Sequence, residues 1–150
     1  MLNAIHFYRI ARFLYVKKIP LLPWMVDKVI FFMYNSVVPR TSQIGKGTLL
    51  ACGGVGVLIH PRSVIGENVN IGSNVTLGGR SGKPNVPIIG DNVFIATGAK
   101  ILADVKIGNN AVIGANAVVI NDVPDNAIVG GIPAKIIKFR DDVTKKYGEY

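Results

Sequence analysis

Two side chains of this 150-residue chain are candidates for chemistry near neutral pH, the imidazole of His60 and the thiol of Cys52, since the other histidine, His6, lies in the N-terminal appendage. The pKa of an unperturbed histidine lies close to the physiological range, so His60 is a candidate general base. Cys52 is the only cysteine and could be a nucleophile if His60 lowered its pKa. Both residues also have a structural interpretation. His60 could be a surface residue at a turn, and for Cys52 we favour a space-filling role.

A six-residue repeat must position these side chains. Aliphatic residues recur at every sixth position over most of the chain, namely Ile59, Ile65, Ile71, Leu77, Ile89, Ile95, Ile101, Ile107, Ile113 and Val119. Neither an α-helix nor a single strand has this period. Glycine often follows the aliphatic residue and asparagine often comes three positions after it, and both tolerate a left-handed backbone at turns. The pattern predicts short strands joined by tight turns, three to a triangular coil, stacked as a parallel β-helix.

The repeat is interrupted twice. Three extra residues fall between Leu50 and Ile59, which predicts a bulge at residues 52–56. A further unit between Leu77 and Ile89 would put Lys83 in the core at a high desolvation cost, so we expect residues 79–87 to leave the coil as a loop. Stacking of the coils then predicts that His60 lies beneath the loop and beside the bulge.

The chain divides into three segments. Residues 1–37 are predicted to be helical with a break near Pro20 and Pro23, residues 38–138 to form the β-helix, and residues 139–150 to form a polar tail, with partly helical structure from Lys135 onwards. The first forty residues hold six basic residues and one acidic residue. This segment could cap the open end of the solenoid, which we favour, or rest on anionic membrane, and one segment could do both.

Composition excludes several classes of protein. An apolar fraction of 49% is incompatible with a disordered chain, and the basic charge comes without a helix-turn-helix, zinc-finger or RNA-binding motif, so we expect no nucleic-acid partner. A single cysteine fits a reducing compartment. There is neither a convincing signal peptide nor an apolar run of about 20 residues. We therefore predict a cytoplasmic protein, with peripheral contact at the inner face of the membrane as an option.

From about Ile44 to Lys138 the chain resembles bacterial hexapeptide-repeat acyltransferases. The runs "NVTLGG" (residues 74–79), "IGANAVV" (residues 113–119) and "VPDNAIVGGIPAKII" (residues 123–137) are most similar to the serine acetyltransferase-like branch. The resemblance implies an all-β solenoid with left-handed coils, a homotrimer, and acetyl-CoA as co-substrate in the groove between adjacent subunits, with no metal.

The resemblance also implies binding residues. Thr97 and Gly98 ("IATGAK") and Ala115 would face the pantetheine arm, and Lys135 ("GIPAK") would bind the phosphates. Arg80 and Lys83 in the loop could add positive charge. Cys52 and Gly53 of the bulge are expected to contact the acceptor substrate.

Three catalytic groups of serine acetyltransferases have no counterpart in this chain. The family's bulge histidine matches Cys52, its aspartate falls near Val37, and its loop histidine falls near Val86. We therefore expect an acetyl-CoA-dependent O-acetyltransferase that acts on a sugar hydroxyl of a surface polysaccharide or its precursor, with His60 as general base and no carboxylate identified to orient it. The alternatives are a serine O-acetyltransferase of cysteine biosynthesis and a non-catalytic β-helix scaffold.

Overall fold

The structure, a computed structural model, describes residues 2–82 and 84–144. It begins with two helices, α1 (Ala4–Val16) and α2 (Leu22–Tyr34). Pro20 lies between them and Pro23 lies in the first turn of α2, where a missing backbone N–H costs nothing. The predicted helical segment with a proline break is confirmed.

Short strands follow the helices. They are β1 Gln43–Ile44, β2 Leu49–Leu50, β3 Leu58–Ile59, β4 Val64–Ile65, β5 Asn70–Ile71, β6 Thr76–Gly78, β7 Ile88–Ile89, β8 Phe94–Ile95, β9 Lys100–Leu102, β10 Lys106–Ile107, β11 Val112–Ile113, β12 Val118–Val119, β13 Ala127–Gly131 and β14 Ala134–Phe139. Every third strand pairs in parallel, which gives the sheets β1-β4-β7-β10, β2-β5-β8-β11 and β3-β6-β9-β12. The second sheet continues into β13 and β14. These three sheets are the faces of a four-coil triangular solenoid, as the repeat predicts.

The aliphatic residues of the repeat form the core. All ten, from Ile59 to Val119, are at most 3% exposed. The asparagines three positions later have left-handed backbone conformations with φ between 54° and 57°, namely Asn68, Asn74, Asn92, Asn110 and Asn116. Both features of the predicted unit, an inward aliphatic residue and a left-handed turn, are confirmed.

Two of the three corners of the coil matter for function. The turns after β2, β5, β8 and β11 form what we call the bulge corner, because residues 52–56 belong to it. The turns after β3, β6, β9 and β12 form the loop corner, which contains His60 and residues 79–87. No strand forms between β6 and β7 among the described residues, so the predicted loop is confirmed; Lys83 itself lies outside them.

The helices close the first coil. The Tyr8 hydroxyl donates to the carbonyl of Ser42 at 2.7 Å, and the Arg9 guanidinium donates to the carbonyls of Ile44 and Gly45. These side chains satisfy carbonyls that would otherwise lie at an unpaired sheet edge. The segment therefore caps the solenoid.

The other end of the solenoid differs from the prediction. Residues from Lys135 were expected to be partly helical, but Lys135 to Phe139 belong to β14, which pairs antiparallel with β13. The six-residue pattern fades here because β14 adds to the edge of a sheet and has no inward face. The part of the expected tail at residues 145–150 lies outside the described residues, and the division of the chain at residues 37 and 138 stays a prediction.

Candidate functional site

His60 lies at the loop corner, directly beneath the loop. A methyl group on Gly79 would be 3.5 Å from Cδ2 and 3.6 Å from Nε2 of the imidazole, and 3.8 Å from Cγ1 of Val86. The backbone N–H of His60 also donates to the carbonyl of Leu77, the residue stacked on Ile59 in the next coil. The outgoing limb of the loop therefore lies against the imidazole at Gly79, with Val86 of the returning limb beside Gly79, and His60 lies beneath the loop as the spacing predicts.

A backbone N–H orients the imidazole. Residues 60–63 form a turn in which the Ser63 N–H donates to the His60 carbonyl at 2.9 Å, with Pro61 at the second position. In this turn the Arg62 N–H donates to Nδ1 of His60 at 3.2 Å. Among the described residues, the ring makes no other hydrogen bond, and no carboxylate contacts it. A neutral ring that accepts at Nδ1 carries its proton on Nε2.

The surroundings of His60 favour its neutral form. Burial lowers the pKa of the imidazole below its ordinary value, and the positive charge of Arg62 lowers it further. The ring is therefore mostly unprotonated at neutral pH, as proton acceptance requires. Sequence reasoning missed Arg62, although the signal was present in "HPRS", where proline favours a tight turn that directs the next N–H towards the histidine.

The bulge occupies a different corner from His60. Ala51–Gly54 form a short 3-10 turn in which Cys52 has a φ of 52° and an exposed thiol. Gly53, beside it, is buried with a φ of 76°. Strand β3 carries the chain from this corner to the loop corner, so the expectation that His60 lies beside the bulge is wrong for a single chain. Counting residues along the repeat correctly predicts which coil of the solenoid contains the bulge, but it assigned the bulge to the wrong corner of that coil.

The residues assigned to the cofactor lie along the bulge corner. Thr97 stacks on the turn before it, because its hydroxyl donates to the Ser73 carbonyl at 2.9 Å. Its own carbonyl accepts from the Asn116 N–H at 3.0 Å, and Ala115 lies exposed beside that residue.

Lys135 lies at the far end of the same corner. It is exposed on β14 and pairs with Gly130 of β13. From β2 at the bulge to β14 there are five strand spacings, about 24 Å. Cys52, Gly53, Thr97, Ala115 and Lys135 thus follow one line parallel to the solenoid axis.

Gly98 is explained by the fold alone. Its φ is 75°, and a Cβ there would lie 1.9 Å from Oδ1 of Asn116 in the next coil. The same arrangement recurs where Gly47 faces Asn68 and where Gly56 faces Asn74. A glycine at this position therefore needs no cofactor to account for it.

A charged groove opens on the loop side of the molecule. It has a volume of about 570 Å³ and is lined by Arg62, Val86, Asp104, Lys106 and Asp122, among others. The Asn85 amide donates to Asp104 at 2.9 Å and so ties the loop to the next coil. Arg80 is exposed on the loop, at this corner rather than with the other residues assigned to the cofactor. Across residues 2–82 and 84–144, no three His, Cys, Asp or Glu side chains cluster as metal ligands would.

Comparison with known proteins identifies relatives. The family model "Bacterial transferase hexapeptide (six repeats)" matches residues 87–121. The serine acetyltransferase of Staphylococcus xylosus is 42% identical over 139 residues, which are 91% of this chain and 63% of that protein.

Solved structures agree with this match. Serine acetyltransferase from Brucella abortus strain S19 in complex with coenzyme A superposes with a TM-score of 0.85 at 30% identity, covering 91% of this chain and 55% of that one. The enzyme from Neisseria gonorrhoeae in complex with serine gives a TM-score of 0.81 at 36% identity, covering 88% and 54%. The chain spans less than two thirds of the length of each of these relatives.

These relatives correct one prediction. We expected a sugar hydroxyl as acceptor and a role in polysaccharide biosynthesis, but the relatives are serine acetyltransferases. The expectation was wrong because it rested on three missing polar groups, at Val37, Cys52 and Val86. Their absence bears on how a proton would be moved and contains no information about the acceptor.

Proposed function

Because the chain belongs to the hexapeptide-repeat acyltransferases of the left-handed β-helix type, in the serine acetyltransferase branch, we propose that it transfers an acetyl group from acetyl-CoA to the hydroxyl of L-serine. The observation that carries this proposal is the 42% identity with a serine acetyltransferase across 91% of the chain. We propose a cytoplasmic location, in keeping with the single cysteine and the substrates.

We assign acetyl-CoA to the bulge corner. The line from Cys52 to Lys135, about 24 Å long, suits an extended molecule with a thioester at one end and phosphates at the other. Thr97, Gly98 and Ala115 would lie beside the pantetheine arm, and the Lys135 ammonium would bind a phosphate. Small side chains along this line leave the backbone accessible to the ligand.

We propose a homotrimer that brings the two corners together. We call the residues assigned to acetyl-CoA, from Cys52 to Lys135, the cofactor line. This line and His60 lie at different corners of one chain, so a complete site would need the bulge corner of one subunit against the loop corner of the next. Cys52 and Gly53 would then contact serine from one side, and His60 and Arg80 would approach from the other. The incomplete grouping of these residues in one chain supports this arrangement.

His60 is the group that we propose as general base. The serine hydroxyl oxygen attacks the thioester carbonyl carbon, His60 takes the hydroxyl proton, and the carbon–sulfur bond breaks to release CoA, whose thiolate regains the proton. Because Nδ1 accepts the Arg62 N–H in the described conformation, the ring must first turn by half a rotation about its Cβ–Cγ bond. That rotation puts Nδ1 in the place of Cδ2, beside Gly79, with its lone pair available. Without it, Nε2–H could only donate a hydrogen bond to the developing oxyanion.

Serine-dependent release of the CoA thiol tests the proposal. Cys52 is exposed, so a thiol reagent also detects one protein thiol per chain, which a blank without serine subtracts. We expect His60→Ala to lower kcat about 100- to 10,000-fold. His60→Gln keeps a donor but no base, so an equal loss in both variants supports proton transfer, whereas retained activity in His60→Gln assigns the donor role instead. Wild-type protein that releases no CoA with serine would refute the acceptor.

A second candidate function is a scaffold that kept the solenoid and lost the reaction. The apolar side chains of Val37 and Val86, at positions where the resembled enzymes carry catalytic groups, favour it. Calorimetric titration with CoA separates the two candidates. Binding that weakens in Lys135→Ala supports the enzyme, and absence of binding supports the scaffold.

A further inference from the structure

The helical end of the molecule has a large apolar surface that the solenoid does not cover. Helix α2 reads LPWMVDKVIFFMY, in which only the Asp27 and Lys28 side chains are charged. A helix that is apolar on all sides is normally covered on all sides. Here one face of α2 is buried through Ile30 and Tyr34, while the remainder is exposed.

The exposed apolar residues lie opposite the buried ones. With 3.6 residues per turn, Met25, Lys28 and Phe32 point away from Ile30 and Tyr34. On α1, Ile10 and Phe13 are likewise opposite the buried Tyr8. We call the exposed apolar residues on this side of the helices and on its flanks the outer face: Ile10, Phe13, Leu21, Trp24, Met25, Phe31 and Phe32. Phe32 is 80% exposed, an unusual state for so large an apolar side chain.

The charges around the outer face are positive. The Lys17 ammonium is 5.9 Å from the centre of the Phe13 ring, and the Lys28 ammonium is 5.5 Å from that of Trp24. Asp27 is the only acidic residue among residues 2–40, and it is paired with Arg40. A partner for this surface must therefore be apolar where it meets the rings and anionic around them.

We propose that the outer face binds an anionic lipid bilayer, with α1 and α2 lying flat in the headgroup region. Exposed aromatic rings flanked by lysine are the combination that suits a membrane–water interface, and lysines next to the surface are attracted to anionic headgroups. None of the described helices has the length and apolarity needed to cross a bilayer. In a homotrimer whose threefold axis runs parallel to the solenoids, the three helical ends lie on the same side, so the three outer faces could bind one bilayer together.

Vesicle flotation tests the proposal without reference to the acetyl-transfer reaction. Vesicles of phosphatidylcholine with about one third phosphatidylglycerol are compared with pure phosphatidylcholine, at about 0.1 M and about 1 M salt, where the screening length falls from about 10 Å to about 3 Å. We expect binding to the anionic vesicles at low salt, and a strong decrease both at high salt and on neutral vesicles. Absence of binding to anionic vesicles would overturn the proposal.

Matched variants distinguish vesicle binding through the outer face from nonspecific adsorption of exposed apolar residues. Phe32→Ser and Lys17→Ala/Lys28→Ala should weaken binding, by about fivefold for each lysine removed. Ile137→Ser, at the other end of the solenoid and 68% exposed, should not change it. Equal effects of Phe32→Ser and Ile137→Ser would contradict the proposal. So would a Phe32-dependent self-association in sedimentation velocity without vesicle binding, because the outer face would then bind a second copy of the chain.

Discussion

The imidazole of His60 is held by a backbone N–H, and this determines what its neighbours can change. The Arg62 N–H holds the ring in the described conformation, while the Arg62 guanidinium affects the imidazole through its charge. A substitution of the side chain therefore alters the pKa of His60 and leaves the hydrogen bond in place. The two effects of one residue can be measured separately.

The pH dependence of acetyl transfer follows from this. A general base must be unprotonated, so kcat/KM should rise with pH and level off, with a midpoint below the ordinary histidine pKa of about 6.5 because burial and Arg62 lower it. Arg62→Ala should move the midpoint upwards, since one of the two causes is removed. Arg80→Ala removes a cation that does not affect the His60 pKa and should leave the midpoint unchanged. A midpoint that is the same in Arg62→Ala as in the wild type would contradict the assignment of His60 as the titrating group.

Gly79 keeps one edge of the imidazole open. A methyl group there would lie 3.6 Å from Nε2, an ordinary contact distance, and the backbone of Gly79 is not left-handed. Gly79→Ala should therefore fold normally while covering the Nε2–Cδ2 edge, with a loss in kcat/KM of about 10- to 100-fold. Thermal unfolding and the CoA-release assay together check this. An unimpaired Gly79→Ala enzyme would mean that the reacting oxygen approaches His60 from elsewhere.

Among the individual residues, the location of His60 follows from the repeat, whereas its hydrogen bond depends on a local signal, the proline in "HPRS", that lies outside the repeat. Stacking of the coils placed it beneath the loop, because the repeat fixes which residues share a corner. The hydrogen bond from Arg62 depends on a turn of four residues that interrupts no pattern. The corner of Cys52 was misjudged because nearness in sequence was taken as nearness in space. The inserted residues precede β3 and His60 follows it, and each strand leads from one corner to the next.

The turns of the solenoid are held by pairs of glycine and asparagine from successive coils. At the bulge corner, Gly98 leaves the space that the Asn116 side chain fills. The six-residue repeat predicts such turns, since it shows both residue types at fixed positions. Their contact across coils becomes visible only in three dimensions, because these two residues are not neighbours in sequence.

Two glycine substitutions separate backbone strain from this contact. Gly82 has a φ of 79°, and a methyl group on it would meet no described atom within 4 Å, so Gly82→Ala should cost about 1–2 kcal/mol at most in free energy of unfolding. Gly98→Ala carries the same strain plus a collision with Asn116, which should add about 1–3 kcal/mol. Urea unfolding measures both. The double variant Gly98→Ala/Asn116→Gly removes the asparagine side chain without straining the left-handed backbone of residue 116, so it should recover part of the added cost relative to Asn116→Gly alone. No recovery would show that the collision is not its cause.

The last strand shows the limit of periodicity as a guide. β14 pairs antiparallel with β13, and its residues from Lys135 to Phe139 are all exposed. β14 therefore lacks the inward aliphatic residue by which all the remaining strands can be identified. What remains, "AKIIKF", is a short apolar and basic run with no period, which sequence reasoning cannot assign to a strand edge.

In the proposed homotrimer, function depends on how the corners of different subunits meet. The cofactor line belongs to the bulge corner and His60 to the loop corner, with the sheet β3-β6-β9-β12 between them. If each site uses one corner from each of two subunits, two defects on different corners should complement each other in a mixed trimer. If one chain contains a complete site, they should not.

This difference gives a direct test. His60→Ala damages the loop corner, and Ala115→Arg obstructs the bulge corner at an exposed position, so each homotrimer should be inactive. When the two variants are co-expressed in equal amounts and assemble at random, every mixed trimer contains one interface with both corners intact, and about one quarter of wild-type activity should return. The matched control pairs His60→Ala with Gly79→Ala, two defects of the same corner, and should recover little beyond the activity of the second variant alone. Mixed Ala115→Arg and His60→Ala trimers that stay inactive, with trimer assembly confirmed by light scattering, would mean that each subunit binds and turns over its own substrates.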